Sequence, residues 1–233
     1  MKKQPIAVIG GMGPEASVYF YNTLTKQSVK YFNAVNNDDF PEIVLYSIPV
    51  PDFISTDERK GEALKTLQKK VESLNALHPQ SIAIACNTAH VLLPQLQKIS
   101  DAPFVSMIEG VVEEVKKKGI KKVGIIGTPS TLRSAMYQEG LKEIGVETIV
   151  PNLSEIAQLD EIIRNVIAEK ASEGDTNTLK VIADRLRGLE AQGIILGCTE
   201  IPLVFPKEYS LPVFNSVEIL SKKLLEKYYS TSI

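Results

Sequence analysis

The chain is poor in the residues that hold metals or form bridges. Its 233 residues include only two cysteines, Cys86 and Cys198, and two histidines. These four stand in no ligand spacing, so no metal site of the Cys/His kind is expected. No block of basic residues with interleaved aromatics occurs, and the formal net charge is −2. Nucleic acid is thereby excluded as the main partner. No run approaches the roughly 18 apolar residues of a membrane-spanning helix, so no membrane partner is expected. The opening segment carries a basic pair, Lys2–Lys3, but only about four consecutive apolar residues, too few for a signal-peptide core. The expected compartment is the cytoplasm, where two cysteines are reduced thiols rather than a structural bridge. No low-complexity segment or flexible linker stands out.

What is present is the composition of a globular protein, with 44% hydrophobic and 23% charged residues. The length suits one large domain or two small ones. Short runs rich in Val and Ile ("PIAVIG", "EIVLYSI", "SIAIAC", "FVSM", "KKVGIIG", "ETIV", "GIILGC") alternate with longer segments of helical period. That alternation predicts βαβ units and a parallel sheet, an α/β fold. Pro14 opens a helix over "PEASVYFYNTLTKQSVKYF", Gly119 closes one over "EGVVEEVKKKG", and "TLRSAMYQEGLKEIG" is expected as a single helix.

An internal echo is the most informative feature. "PIAVIGGMGPEAS" resembles "KKVGIIGTPSTLRS", and "SIAIACNTAHVLLPQL" resembles "GIILGCTEIPLVFP". Gly10 and Gly127 lie 117 positions apart, and Cys86 and Cys198 lie 112 apart. Two echoes in one order at nearly one offset predict two similar, pseudo-symmetric lobes, each a parallel sheet flanked by helices. The expected lobes are 1–102 plus 208–233, and 103–207. Both cysteines fall where ligands bind in parallel sheets, beyond the carboxyl ends of strands. The expected active site is the cleft between the lobes, with the two thiols facing each other across it.

Two such thiols suit a particular reaction. One, as thiolate, removes a proton from one face of a small carbon acid while the other, as thiol, returns one to the opposite face, inverting the centre. Asn87, Thr88 and Thr199 are good first-turn residues, and a thiol at a helix N-terminus is favoured as thiolate by the helix dipole. An amino-acid Cα–H is a far weaker acid than a thiol, so donors for the developing oxyanion are needed as well. Backbone amides after "GGM", "ACN" and "GCT" and the Asn87, Thr88 and Thr199 side chains are candidates. Against this stands the plainer possibility that each cysteine is a small buried packing residue. The twin placement of the only two cysteines weighs against it. His90 is expected to have a structural, hydrogen-bonding role.

"GGMGPEA", "ACNTAH" and "GCTEI" resemble the three signature segments of the cofactor-independent aspartate/glutamate racemase family, in its aspartate racemase branch. The match runs in order from residue 6 to about 203. The resemblance implies two α/β domains, no cofactor and hence no pyridoxal phosphate, a small amino-acid substrate, a homodimer, and catalysis by Cys86 and Cys198. It implies substrate contacts from Met12, Gly13, Asn87, Thr88, Thr199 and Glu200, and from Thr128 and Thr131 of the "GTPST" turn. Glu200 stands where the glutamate branch has histidine after "GCT". One departure concerns specificity. Many aspartate racemases have "PDR" in the second strand–helix loop, where the arginine can pair with the distal carboxylate. Here the loop reads Pro51-Asp52-Phe53, and the nearest arginine is Arg59. A bidentate arginine clamp is selective, so its absence predicts a range extending to glutamate or neutral amino acids. Lys170 is a second candidate for the missing charge.

Two other readings start from the same residues. Gly11-Met12-Gly13-Pro14-Glu15-Ala16 fits the G-x-G-x-x-A dinucleotide fingerprint of an oxidoreductase, although Glu15 would repel a pyrophosphate. A two-lobed amino-acid sensor also fits the lobes, although a binder has no use for paired thiols.

Overall fold

The computed structural model describes residues 4–230. The Lys2–Lys3 pair and the outermost residues of the first expected lobe, 1–3 and 231–233, lie outside the described residues. The first half of the chain runs β1 (Ile6–Gly10), α1 (Pro14–Phe32), β2 (Ile43–Ser47), α2 (Lys60–Asn75) and β3 (Ser81–Ile84). A 3-10 turn (Thr88–Leu92) then leads into α3 (Leu93–Gln97). The second half runs α4 (Met107–Lys117), β4 (Lys122–Gly127), α5 (Pro129–Arg133), α6 (Met136–Glu143) and β5 (Glu147–Ile149). It continues with α7 (Leu153–Ile167), α8 (Glu173–Gly188), β6 (Ile194–Gly197), α9 (Ile201–Val204), β7 (Val213–Asn215) and α10 (Ser216–Ser230).

The strands form two parallel sheets, ordered β2-β1-β3 and β5-β4-β6-β7. β1, β3 and β6 are buried along their whole length. This is why they read as continuous Val/Ile runs instead of alternating with polar residues. The fold is α/β with two helix-flanked parallel sheets, as the alternation predicts. Local signals set the helix ends. Pro14 opens α1 after an extended Gly13, and Asn33 closes it in the left-handed region at φ 56°. Asn152 with Glu155 and Ser172 with Asp175 form capping boxes at α7 and α8.

Two compact units result. Among the described residues, the first comprises those up to Asp52, Glu58–Met107, and those from Val217 onward. Its core joins Ile6 and Val8 of β1 to Phe20 and Leu24 of α1 and to Val217, Leu220 and Leu224 of α10. The second comprises Phe53–Asp57 and Ile108–Ser216. Its core joins Ile126 and Leu196 to Leu159 and Ile163 of α7 and to Leu179, Ile182 and Leu186 of α8.

These bounds differ from the expected 1–102 plus 208–233 and 103–207. β7 pairs with β6, so the chain leaves the second sheet only after it. "FVSM" is no strand. Phe104 makes one bridge to Ile82, and α4 begins at Met107. The segment corresponding to β7 is thus a single bridge, followed by a helix counted mainly with the second unit. β7 is followed by a helix counted with the first. The helix expected over 131–145 is also two helices. Ser134 Oγ donates to the Thr131 carbonyl at 2.8 Å, and Ala135 turns into the left-handed region at φ 56°. Just beyond that break, Tyr137 is wholly buried beside Gly197 of β6.

Candidate active site

In the first unit the chain leaves β1 through Gly10-Gly11-Met12-Gly13. Gly11 has φ +90°, and a Cβ there would lie 2.3 Å from the Ile48 carbonyl oxygen and 2.5 Å from the Ile48 nitrogen. Only glycine fits against that backbone. Ser17, buried one turn into α1, fixes the loop. Its Oγ accepts from the Gly11 N–H at 2.8 Å and donates to the Gly13 carbonyl at 2.9 Å. Gly11 of the dinucleotide-like fingerprint is therefore accounted for by close packing of the turn. Met12 is half-buried and Gly13 buried at this strand end.

At the neighbouring strand end, Ala85 N–H extends the ladder to the Ile9 carbonyl at 2.9 Å, and Cys86 follows. Cys86, Asn87, Thr88 and His90 are all buried. His90 Nε2 accepts from the Met107 N–H at 3.0 Å. Its Nδ1 therefore carries the proton and donates to the Cys86 carbonyl at 2.8 Å, a tautomer assigned from the network. Burial lowers the His90 pKa from 6.5 to about 4, so the ring is neutral near pH 7. His90 is a structural tie between the backbone of Cys86 and the start of α4, the role expected of it.

The second unit repeats this plan. At the end of β4, Thr128 caps α5. Its Oγ1 accepts from the Thr131 N–H at 3.0 Å and donates to Thr131 Oγ1 at 2.9 Å. Both threonines are buried. At the end of β6 come Cys198, Thr199 and Glu200, each no more than 3% exposed. Cys198 Sγ donates to Glu200 Oε2 at 3.0 Å, and Thr199 Oγ1 donates to the same oxygen at 3.0 Å. Beneath them, a Cβ at Gly197 would approach the Tyr137 ring to 3.2 Å. Burial pushes the Tyr137 hydroxyl well above its ordinary pKa, and Ser216 Oγ donates to the Leu196 carbonyl at 2.8 Å.

One expectation needs correcting. The Asn87 side chain makes no capping bond, nor does that of Glu200, the residue before α9. The elements after the cysteines are a five-residue 3-10 turn and a four-residue helix. So short an element supplies only a fraction of a helix dipole. Hydrogen bonding, not a macrodipole, characterises the Cys198 setting.

The charges considered for a distal carboxylate are placed as follows. Arg59 lies at the start of α2, paired with Glu62 at 3.0 Å, and both are exposed. Lys170 is exposed beyond the end of α7, where its backbone N–H donates to the Asn165 carbonyl at 2.8 Å. Phe53 is buried, and its carbonyl accepts from Ser130 Oγ at 2.7 Å. It begins a strap, Phe53–Asp57, that is continued by Arg133 Nη2 donating to the Ser55 carbonyl at 2.9 Å and by Ser55 Oγ donating to Asp160 at 2.7 Å. Sequence reasoning missed Ser17, Ser130 and Tyr137, whose roles lie in contacts that local pattern does not encode.

Among the described residues no group of three or more His, Cys, Asp or Glu side chains is placed to hold a metal. No helix among them is long and apolar enough to cross a membrane. No disulfide joins Cys86 and Cys198.

Comparison with known proteins decides the family. The model described as Asp/Glu/Hydantoin racemase matches residues 9–224. The chain belongs to the Asp/Glu/Hydantoin racemase family. It is an isomerase, an amino-acid racemase. A broad-specificity amino-acid racemase of Bacillus subtilis is 26% identical over 224 residues, covering 96% of this chain and 97% of that one. A glutamate racemase of Aquifex pyrophilus is 37% identical over 152 residues, which is 61% of this chain and 56% of its own. Among solved structures, the aspartate racemase of Picrophilus torridus superposes with TM-score 0.84 at 27% identity, covering 97% of this racemase and 94% of its own chain. An aspartate racemase homologue from Pyrococcus horikoshii gives TM-score 0.80 at 32% identity, covering 97% and 99%.

Proposed function

We propose that the chain racemises an acidic amino acid, aspartate first, by two-base proton transfer in which Cys86 and Cys198 act on opposite faces of one substrate carbon. The observation that carries this reading is the equivalent position of the two buried thiols. Cys86 follows β3, which pairs with the strand ending at Gly10, and Cys198 follows β6, which pairs with the strand ending at Gly127. Independent packing choices would not select corresponding positions for the only two cysteines in the chain.

In one direction the Cys86 thiolate takes the Cα proton and the Cys198 thiol delivers its own to the other face. In the reverse direction the roles exchange. Positioned acid–base groups contribute roughly 10²–10⁴-fold. The carboxylate, as it becomes enolate-like, is received by backbone amides and by Asn87, Thr88, Thr128, Thr131 and Thr199, with Met12 and Gly13 shaping the remaining wall. Proton transfer between thiols needs no pyridoxal phosphate, metal or nucleotide. Phe53 in place of a cation leaves the distal group to hydroxyls and amides, which supports a range reaching glutamate and neutral amino acids. The broad specificity named for the Bacillus subtilis relative is consistent with that range. A cytoplasmic homodimer completes the reading.

The test is a chiral-chromatography assay of the purified protein with each enantiomer of aspartate, glutamate and several neutral amino acids, without added cofactor. Racemisation of aspartate and at least one further amino acid, unchanged by dialysis against a chelator, is expected. Activity restored only by pyridoxal phosphate, or abolished by the chelator, contradicts the cofactor-free mechanism. Strict confinement to aspartate contradicts the specificity argument.

A further inference from the structure

The Cys198 thiol donates its hydrogen bond to the Glu200 carboxyl group 3.0 Å away. Glu200 is 3% exposed, and Thr199 donates to the oxygen that receives the thiol. Two donors, an S–H and an O–H, thus converge on one Glu200 carboxyl oxygen. If Cys198 lost its proton, two negative atoms would lie at that separation in a buried setting, which disfavours the thiolate.

Resting on the two-thiol reading, we infer that Glu200 is a positioning residue that keeps Cys198 protonated in the resting enzyme, so that Cys198 begins turnover as the acid and Cys86 as the base. Protons balance. The Cys86 thiolate gains the substrate proton, the Cys198 thiol loses its own to the carbanion, and the net charge of the site is unchanged. The Cys198 thiolate left after that transfer faces the Glu200 carboxylate and is therefore a strong base for the return direction.

Among the described residues, other ionisable groups also stand in the second unit. Tyr137 faces Cys198 from α6 and is held neutral by burial. Asp160 and Arg164 of α7 pair with each other at 3.5 Å, and Arg133 of α5 engages the Ser55 carbonyl. β6, β7 and α9 carry no ionisable side chain.

The test reads thiolate populations directly. Purified protein is treated with a small thiol reagent, methyl methanethiosulfonate, and labelling of Cys86 and Cys198 is followed by peptide mass spectrometry. Cys86 is the internal reference. Removing a like charge typically moves a thiol by about 1–3 pKa units, partly offset by lower intrinsic nucleophilicity. At pH 7, Glu200→Gln should therefore raise the Cys198-to-Cys86 rate ratio roughly fourfold to fortyfold. In the wild type, which needs no variant to fold, Cys198 labelling should rise at higher pH than Cys86 labelling. An unchanged ratio in Glu200→Gln, or wild-type Cys198 labelling at lower pH than Cys86, overturns the inference. Neither result touches the racemase reading, which fails instead if the enzyme racemises normally without one of the thiols.

Discussion

Acidification should unload the His90 tie and weaken the first unit. The folded protein holds this ring neutral, with its pKa lowered from 6.5 to about 4 by burial. The unfolded chain protonates it near 6.5, so between these values the unfolded state binds more protons. Stability is thus full above pH 6.5 and is lost as pH falls towards 4. Linkage gives a loss of about 2 kcal/mol between pH 7 and pH 5, and about 3 kcal/mol once both limits are passed. Urea denaturation followed by circular dichroism at pH 7, 6 and 5 reads this, since 2 kcal/mol is roughly a 1 M shift of midpoint. His90→Gln removes the titrating group. It should cost about 1–3 kcal/mol at pH 7, because the buried Met107 N–H loses its acceptor. It should also flatten the pH dependence, so that the two proteins converge near pH 5. A variant whose midpoint falls as steeply as the wild type between pH 7 and pH 5 would refute the assignment.

Gly11→Ala should lower the thermal midpoint and the soluble yield sharply, because the added Cβ meets the Ile48 backbone at 2.3 Å in a left-handed conformation. A melting curve within 2 °C of wild type, by the usual scaling of stability to melting temperature, would show that the turn relaxes. Thr128→Ala should cost about 1 kcal/mol of stability through the lost cap. It should also raise KM for aspartate more than Thr131→Ala, since Thr128 orders both hydroxyls. Equal KM values for both variants and wild type would remove the pair from substrate recognition.

Much of the fold was legible because burial on both faces writes parallel strands as uninterrupted Val/Ile runs. β1, β3, β4 and β6 are found where those runs stand. The echo around Gly10 and Gly127 corresponds to β1 and β4, and the cysteine echo to β3 and β6, which pair with them. Helix α6 was not separable from α5, because Ala135 carries no breaker signal and the break depends on Ser134 bonding backwards. In the sequence the strap has only the character of a loop. Its attachment rests on Ser130, 77 residues away, and on Arg133 and Asp160. Of the candidate site, the cysteines and threonines could be chosen from pattern, and the structure finds them buried at strand ends. The engagement of Glu200 by Cys198 could not, because the same "GCTE" spelling allows its carboxylate to face a substrate or the thiol.

The paired serine variants test the two-thiol mechanism most directly. Serine preserves size, but its hydroxyl does not supply the anion near neutrality. Cys86→Ser and Cys198→Ser should each reduce aspartate racemisation, followed by chiral chromatography, by at least about 10²-fold. Each should still eliminate chloride from one enantiomer of 3-chloroalanine, a different one for each variant, because elimination requires only the deprotonating thiol. Near-wild-type racemisation by either variant would contradict the mechanism and leave that cysteine a packing residue.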